Sequence, residues 1–555
     1  YTTSANYRAP LDWTRVNTTS TTYHTLNGSV LTTPLTNWSI QQTLETSPIE
    51  TYEPRVSFDN AGNGIAVWLQ NGDVVMSRYT ISNGQWSAAT VLDSSPSEAF
   101  TPRVTIDQVT GNAFVSWAQS DGAAVSMYVS SFNATNSTWS VAQLLETSNF
   151  AVTTSAGTSS SRNGDHAAIA WVQSDGTLSH LYMSRLVAGT WTAAVRVDTG
   201  TAYGVGDHPE VKVDSNGNVM LAWRQRDPNE GFRIYARRWD NTTQSFGTVR
   251  GINGAGERHP RLGMDAAGNA MVLWRGGGVY ASRYNVTTDQ WSTPVQLNIA
   301  GGGTTGEIAV DANGDALASW VDSDSTGASQ YARRYDAATG TWGAAVALEN
   351  SSEPVNVDME TTVSFVNGNG VVAWAQANGQ LYAARTSNGV WGAAVNIENR
   401  SEAASMPVVA MDGHSNATAL WIQADGVRRS IYSARSSAVP YYVVPAGATW
   451  QSLANTLYSI DSVSAATALQ TAMSNVTLTT GLHLQPLPTT LTVTPPTPTN
   501  YVVVTGDTWQ SITLALYGTS RSEAATALWD YLGRPTLTVG QQLLIPAELN
   551  YTIVE

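Results

Sequence analysis

The sequence predicts a mainly β protein, an eight-bladed β-propeller closed by an N-terminal strand and followed by two small α+β modules. Three observations predict this fold class. Fifteen of the 20 tryptophans fall into two series that recur about every 50 residues. Each repeat contains four short alternating runs bounded by Gly, Asn and Asp turns, and helical periodicity is absent before residue 441. Four antiparallel strands per repeat of this length are typical of propeller blades.

Composition excludes several classes of protein. The chain has 555 residues, of which 42% are hydrophobic and only 13% are charged, which argues against disorder and against a coiled coil. A net charge of −15 disfavours nucleic-acid binding. No apolar run is long enough to span a membrane as a helix. Cysteine is absent, so disulfides and thiolate metal sites are excluded. Because Tyr1-Thr2-Thr3 is not a start, we expect a secreted, processed chain.

Residues 1–34 show no period and are interpreted as an N-terminal extension; residues 35–437 are the predicted propeller. The first tryptophan series ends an apolar run in each repeat and is predicted to form the packing layer between blades. Its members are Trp68, Trp117, Trp171, Trp223, Trp274, Trp320, Trp374 and Trp421. The second series begins the last strand of each repeat. Its members are Trp38, Trp86, Trp139, Trp191, Trp291, Trp342 and Trp391, with Phe246 in the missing place.

The eighth repeat stops after Ile431–Arg435 and lacks its fourth strand. A matching segment, Trp38–Glu45, stands at the other end of the propeller region. We predict that this segment pairs with Ile431–Arg435 and closes the ring, which removes an open sheet edge. An open solenoid is the alternative.

Several repeats also carry an Asp-x-x-Gly-Asn type of turn, as in Asp59-Asn60-Ala61-Gly62-Asn63. The Asp carboxylate accepts local backbone N–H bonds, and Gly and Asn tolerate positive φ. Such turns could instead hold Ca²⁺ through carboxylate and carbonyl oxygens, although each offers only one or two carboxylates. We favour turn structure and expect no other cofactor.

Residues 55–436 resemble bacterial propeller repeats of the sialidase-like, BNR-like kind found in large surface proteins. The turns of these repeats depart from the sialidase Asp-box, S-x-D-x-G-x-x-W. The resemblance therefore implies a propeller scaffold and does not support sialidase activity. Arg55, Arg103 and Arg261 fall at one position of the innermost strand and could bind a carboxylate, as in sialidases. We favour their pairing with acidic side chains around the channel mouth. Those side chains are Glu53, Glu98, Glu210 and Glu307.

Two histidines, His208 and His259, precede prolines at equivalent places of that mouth. Together with Asp207, Glu257 and Asp165-His166 they could hold a metal ion. Without an H-x-H spacing we interpret them as turn residues and predict no metal site.

The C-terminal region has a different pattern. Tyr501-Val-Val-Val-Thr-Gly-Asp-Thr-Trp509, Ala525-Thr-Ala-Leu-Trp529 and Leu537-Thr-Val-Gly540-Gln-Gln-Leu-Leu-Ile545-Pro546 closely resemble the first turn, second helix and closing strand of a LysM module. Tyr442-Val-Val-Pro-Ala-Gly447-Ala-Thr-Trp450 resembles a degenerate copy, in which Ala448 replaces the turn Asp. We therefore divide the region into modules 441–488 and 500–547, an extended proline-rich linker 489–499, and a tail 548–555.

LysM modules bind N-acetylglucosamine glycans without chemistry, so the resemblance implies peptidoglycan or a chitin-like glycan as a partner. The residues that it implicates are Gly506, Asp507, Thr508, Leu537, Thr538 and Val539. The alternative is that both modules are spacers. The domain order also resembles the region before the repeats of large secreted Rhs/YD-repeat proteins.

These observations favour a non-enzymatic, extracellular or cell-surface protein whose propeller is a rigid scaffold or adhesion platform. One alternative is a self-assembling subunit of a filament or coat. The other is a glycan-processing, sialidase-like enzyme. We expect no catalytic residue, because no nucleophile and acid pair can be placed in the sequence.

Overall fold

The structure is a computed structural model that describes residues 21–24 and most of residues 38–549. The gaps within that range are 40, 46, 82–83, 94, 147, 201–202, 228, 230, 253–257, 300–302, 304–305, 325–326, 350–352, 360, 388, 437–441, 459–462, 474, 479–481, 485–486, 489, 494–498, 518–519 and 547–548. Most of the N-terminal extension and of the tail lies outside the described residues, as does Glu257. The chain divides into two compact units, Thr33–Pro440 and the combination of Tyr1–Thr32 with Tyr441–Glu555.

The unit Thr33–Pro440 is an eight-bladed β-propeller, as the tryptophan period predicts. Each blade is an antiparallel sheet, and in blades one to seven the strands follow the chain from the innermost to the outermost. The innermost strands are Thr51–Phe58, Ala99–Ile106, Thr158–Asn163, Glu210–Val213, Arg258–Met264, Glu307–Val310, Thr362–Val366 and Ala404–Met411. The second strands are Gly64–Gln70, Ala113–Ser120, His166–Ser174, Val219–Asp227, Ala270–Arg275, Ala316–Asp324, Asn369–Ala375 and Ala417–Ala424. The third strands are Asp73–Thr80, Val125–Asn133, Ser179–Val187, Gly231–Asp240, Val279–Asn285, Gly327–Asp336, Leu381–Ser387 and Arg429–Ser436.

The outer strand of blades one to seven is split into two short pieces that pair with the third strand. These pieces are Gln85–Trp86 and Thr90–Val91, Thr138–Trp139 and Gln143–Leu144, Thr190–Trp191 and Val195–Arg196, Ser245–Phe246 and Arg250–Gly251, Gln290–Trp291 and Val295–Gln296, Thr341–Trp342 and Val346–Ala347, Val390–Trp391 and Val395–Asn396. In blade eight the outer strand is Gln42–Thr43, which pairs with Tyr432 and Ser433, and Trp38 forms a bridge to Ser436. A 3₁₀ turn, Thr154–Ala156, precedes blade three.

The first tryptophan series forms the packing layer between blades. All eight side chains are at most 1% exposed. In blades two to eight the indole stacks on a tyrosine directly opposite on the third strand, with ring centroids 6.0–6.4 Å apart. Trp68 of blade one faces Val75 instead, and it packs with Leu420 and Ile431 of blade eight in one buried cluster. The layer therefore continues from blade eight to blade one.

Hydroxyl side chains connect neighbouring innermost strands. An inner strand has one edge without a β partner, so its N–H groups need other acceptors. Ser159 and Ser161 of blade three accept bonds from the Val211 and Val213 N–H groups of blade four, both at 3.1 Å. The same contact joins Ser57 to Ile106, Thr362 to Val409 and Ser364 to Met411.

The C-terminal region contains two successive β-α-α-β units. The first comprises Tyr442–Val443, Trp450–Tyr458, Val463–Ala472 and His483–Leu484. The second comprises Thr499–Val502, Trp509–Tyr517, Ser522–Tyr531 and Gln542–Ile545. In each unit the two strands pair with each other in antiparallel fashion.

The segment between these units differs in part from the expected spacer. Thr490–Val493 is a strand, and it pairs with Thr21–His24 from the N-terminal extension. Leu491 is 3% exposed and belongs to the buried cluster of the first β-α-α-β unit. The proline-rich composition that predicts a spacer begins only after this strand, at Pro495.

Candidate functional site

Strained bulges shape one mouth of the propeller. In five blades the residue before a proline on or next to the innermost strand has a left-handed backbone, with φ between 49° and 54°. These residues are Glu53, Thr101, His208, His259 and Met406. A residue before proline normally adopts an extended backbone, so these conformations persist only because the surrounding sheet enforces them. We call this end of the ring the bulge mouth.

The bulges reorient the side chains that follow them. In blades one, two, five and eight, two bulged residues lie opposite the first-series tryptophan, and regular pairing resumes one residue later. Arg55 then faces Val67, Arg103 faces Ser116, and Arg261 faces Leu273. The three arginines that the sequence singles out therefore occupy equivalent positions of the ring.

Arginines of the bulge mouth form hydrogen bonds and ion pairs with other groups of the protein. Arg261 is 8% exposed; its Nε donates to Glu307 Oε2 at 3.0 Å, and its Nη1 lies 3.8 Å from Glu210 Oε1. Arg103 Nε donates to the Thr158 carbonyl of the next blade at 2.8 Å. Two of the expected acidic side chains thus contact an arginine, whereas Glu98 lies against Gly72 at the turn of blade one.

Positively and negatively charged side chains lie together at this mouth. Burial, and then the charge of Arg55, lower the pKa of Arg103 to about 9, while Glu53 and Glu210 oppose that shift. An anion that entered here would have to compete with carboxylates already present. The arrangement therefore supports a structural ion-pair network better than a ready anion site.

The two histidines of the bulge mouth lie together. The rings of His208 and His259 stack with centroids 4.3 Å apart and planes inclined by 22°. His208 Nδ1 lies 3.2 Å from Asp207 Oδ1, and Arg224 Nη1 lies 3.0 Å from Asp207 Oδ2. Burial alone would raise the pKa of Asp207, but His208 and Arg224 lower it to about 2.

His166, which the sequence pattern suggests as a further member of a metal site with this pair, lies elsewhere in the structure. His166 begins the second strand of blade three and lies against the turn at Gly217, at the opposite end of the strands. Within the described ranges, no group of three or more His, Cys, Asp or Glu side chains is arranged to hold a metal ion.

The Asp-Gly-Asn turns use their carboxylates internally. Asp265 Oδ1 accepts bonds from the Ala267 and Asn269 N–H groups at 3.0 and 2.8 Å, and its Oδ2 accepts one from the Asn269 amide at 2.8 Å. Asn269 Oδ1 in turn accepts the Val286 N–H at 3.0 Å. The carboxylate thus ties the first turn to the end of the third strand, which explains the Asp and Asn of the repeat.

In the second β-α-α-β unit, the two implicated loops lie at the same end of a two-stranded sheet. Gly540 N donates to Val503 O at 2.8 Å, and Val503 N donates to Gln541 O at 2.9 Å. These bonds join the chain just before Gly506–Thr508 to the chain just after Leu537–Val539, so both loops lie at the same end of the sheet. Gly506, Thr508, Thr538 and Val539 are exposed, and Asp507 and Leu537 are partly exposed.

The side chains of the first loop mainly build the turn. Asp507 Oδ2 accepts bonds from the Val504 N–H at 2.8 Å and the Tyr501 hydroxyl at 2.9 Å. The Val504 bond, followed by the Tyr501 and Ser511 hydroxyls, holds the pKa of Asp507 below its usual range. Thr508 and Ser511 exchange side-chain to backbone bonds at 3.1 and 2.9 Å and cap the helix Trp509–Tyr517.

The first unit repeats this arrangement although its sequence is degenerate. Thr449 and Ser452 exchange the same bonds at 3.1 and 2.9 Å. In both units a tyrosine at the end of the first helix, Tyr458 or Tyr517, donates its hydroxyl to the carbonyl of a proline that follows the closing strand segment. The two units are therefore structural duplicates.

A repeated Trp-x-Gln motif was missed in the sequence, although six of the eight first-series tryptophans carry it. In blades two, three, four and eight the indole Nε1 donates to the glutamine Oε1 at 3.0–3.1 Å. The glutamine Nε2 then reaches the loop that leads into its own blade. In blade eight, Gln423 Nε2 donates to Glu402 O at 2.6 Å and to Glu398 Oε2 at 3.1 Å.

No protein-family model matches the chain, and no curated protein matches it. Solved structures that resemble it include propeller and sialidase proteins. The Dos1 propeller has a TM-score of 0.41 at 9% identity, with 74% of this chain and 96% of that chain covered. A protein of unknown function from Dyadobacter fermentans DSM 18053 has a TM-score of 0.37 at 9% identity, with 73% and 99% covered. The Hadza microbial sialidase Hz136 has a TM-score of 0.33 at 11% identity, with 69% and 65% covered.

Proposed function

We propose that the chain is a non-enzymatic extracellular surface protein, in which the propeller is a rigid scaffold and the C-terminal units are LysM-like modules. The second module binds an N-acetylglucosamine-containing glycan of the peptidoglycan or chitin kind. The observation that carries this proposal is the pair of exposed loops, Gly506–Thr508 and Leu537–Val539, at one end of a duplicated β-α-α-β unit.

The exposure of these loops suits a glycan. Val539 is 62% exposed, and a Cβ added at Gly506 would meet nothing within 4 Å. An exposed apolar side chain flanked by a threonine hydroxyl and backbone groups can contact both the apolar face of a sugar and its polar substituents. No loop movement is needed for access.

The propeller half of the proposal rests on how the ring is held. We infer that Trp38–Glu45 closes the ring, because Gln42–Thr43 pairs with the third strand of blade eight and Leu44 N donates to Ile431 O at 2.9 Å. A ring fastened in this way resists splaying and offers a stable platform for neighbouring domains. The internal pairing of Arg261 with Glu210 and Glu307 supports a scaffold rather than an enzyme.

The test is a sedimentation assay with insoluble peptidoglycan and with chitin. The full chain is compared with Val539→Glu, which places a charge in the proposed groove. Leu544→Glu is the matched control, because Leu544 is 52% exposed on the closing strand of the same unit. We expect the unmodified chain and the control to sediment with at least one polymer, and Val539→Glu to stay in solution. Equal behaviour of all three proteins contradicts the proposal.

A further inference from the structure

A cleft opens on the rim of the propeller between blades five and six. Its volume is about 480 Å³, within the range of small-molecule sites. Side chains from the third and outer strands of both blades line it. The lining residues used below are Arg283, Trp291, Thr293, Val295, Tyr335 and Trp342.

An arginine and aromatic rings adjoin one another in this cleft. The guanidinium carbon of Arg283, on blade five, lies 5.7 Å from the ring centroid of Tyr335, on blade six. The centroids of Tyr335 and Trp342 lie 5.3 Å apart. Trp291 and Trp342 are partly exposed, and Val295 is 44% exposed. A small ligand that enters the cleft therefore meets a cation and apolar surface side by side.

Arg283 is the one charged residue among the described residues that line the cleft. Its side chain is 26% exposed, and its Nη2 lies 3.5 Å from Asp265 Oδ2, which is longer than an ordinary hydrogen bond. The Asp265 carboxylate already accepts three bonds within its own turn. Because a guanidinium carries five N–H donors, Arg283 keeps donors for a further acceptor in the cleft.

Equivalent arginines of other blades are bound more closely. The same pair of positions in blade eight is occupied by Arg435 and Asp412, and there the guanidinium donates to the carboxylate at 2.6 Å. In blade six the equivalent Arg334 donates to Asp315 at 2.7 Å. The ion pair of Arg283 is thus looser than either, at a junction where a cleft is open.

Acidic residues near the cleft in sequence are bonded to other groups. Asp289 accepts bonds from Arg250 at 2.7 Å and from the Tyr284 hydroxyl at 2.8 Å. Asp336 accepts the Thr339 N–H at 3.0 Å. Neither carboxylate belongs to the lining, so an anion in the cleft contacts Arg283 without contacting either of them.

This lining restricts the chemistry of a ligand. Arg283 repels a cation, and a wholly apolar ligand would bury the guanidinium without supplying an acceptor. A carboxylate matches the fork of N–H donors on a guanidinium, and the partly exposed Trp291 and Trp342 suit an apolar body. We propose that this cleft binds a small carboxylate with an aromatic or aliphatic body, with the carboxylate on Arg283 and the body against Trp342.

The experiment uses the full chain and two probes, phenylacetate and hexanoate. The comparison compounds are their amides, which lack the charge, and acetate, which lacks the apolar body. Binding is measured by saturation-transfer NMR and by calorimetric titration. We expect at least one probe to bind, its amide to bind at least tenfold more weakly, and acetate to show no binding. None of these compounds is a sugar, so this test and the preceding one succeed or fail independently.

Three variants locate the binding. Arg283→Gln removes the charge and should weaken binding at least tenfold. Arg78→Gln is the matched control, because Arg78 occupies the equivalent place in blade one and does not line the cleft, so binding should be unchanged. Thr293→Trp fills the cleft from an exposed lining position, so binding should disappear while the melting temperature is retained. Absence of binding by the unmodified chain, equal binding of acid and amide, or unchanged binding by Arg283→Gln or Thr293→Trp overturns the proposal.

Discussion

Gln70 Nε2 donates a buried hydrogen bond to Glu45 Oε2 at 3.1 Å, and so joins blade one to the segment whose residues Gln42–Thr43 pair with the third strand of blade eight. The same relationship joins Gln119 to Asp93 at 2.8 Å, from blade two to blade one, and Gln423 to Glu398 at 3.1 Å, from blade eight to blade seven. Glu45 therefore holds, at the junction of the last and first blades, the place that the outer-strand carboxylates hold elsewhere.

The first prediction concerns this strand. Deleting residues 1–46 should expose the edge of Arg429–Ser436 and remove Leu44, which is 4% exposed and whose burial contributes about 2 kcal/mol. We expect the melting temperature to fall by several degrees and the transition to broaden in calorimetry. Deleting residues 1–32 is the control, because it keeps Trp38–Glu45. An unchanged melting temperature and transition width after the longer deletion would contradict the closure that we infer.

The second prediction concerns the Asp-Gly-Asn turns. Asp265→Ala should lower the free energy of unfolding by about 2 kcal/mol, because the N–H groups of Ala267 and Asn269 lose their acceptor. Since both carboxylate oxygens are already bonded, we expect neither EDTA nor added Ca²⁺ to shift the melting temperature of the unmodified chain. A rise with Ca²⁺ that disappears in Asp265→Ala would assign this turn as a cation site.

The third prediction concerns pH. The pKa of Asp207 lies at about 2 in the folded protein and near 3.8 in an unfolded chain, so its ionised form stabilises the fold. That contribution is complete above about pH 4, and about 2 kcal/mol of it is lost as the pH falls through the folded pKa. Asp207→Asn should be less stable than the unmodified chain at pH 6, and the difference should shrink towards pH 2. Denaturant titrations at both pH values measure it; a constant difference rules out this origin.

The fourth prediction is that the bulge mouth supports no turnover. Arg261 is bonded to Glu307, and Arg103 to a backbone carbonyl, so neither guanidinium is held ready for a substrate. We expect no hydrolysis of sialosides or other acidic glycans by the purified chain. Hydrolysis that is lost when Arg55, Arg103 and Arg261 are changed to alanine, with the circular dichroism spectrum retained, would establish the enzyme alternative.

The blades could be predicted from the sequence because one physical requirement repeats eight times. A tryptophan in the layer between blades must recur at each blade, so Trp68 through Trp421 mark the period directly. The turn residues Asp265 and Asn269 were predictable for the same reason, since a carboxylate and an amide bind backbone groups within the turn itself.

The details of the bulge mouth could not be predicted in this way. A proline preceded by His208 or His259 normally indicates an extended backbone, yet both residues are left-handed, and at His259 the strand pairing contains a bulge. Which carboxylate each arginine meets depends on contacts across the ring, and sequence spacing does not encode them.

The bridge between Trp38 and Ser436 has a mechanical consequence. Because these two residues face each other at the same end of an antiparallel pair, tension applied to the chain before Trp38 and after Ser436 acts across the first rung of the ladder. The bonds would then break one after another, like a zipper, rather than all together in shear. With the closure that we propose, we expect blade eight to open first under load, at a force set by single hydrogen bonds and by the anchoring of Leu44.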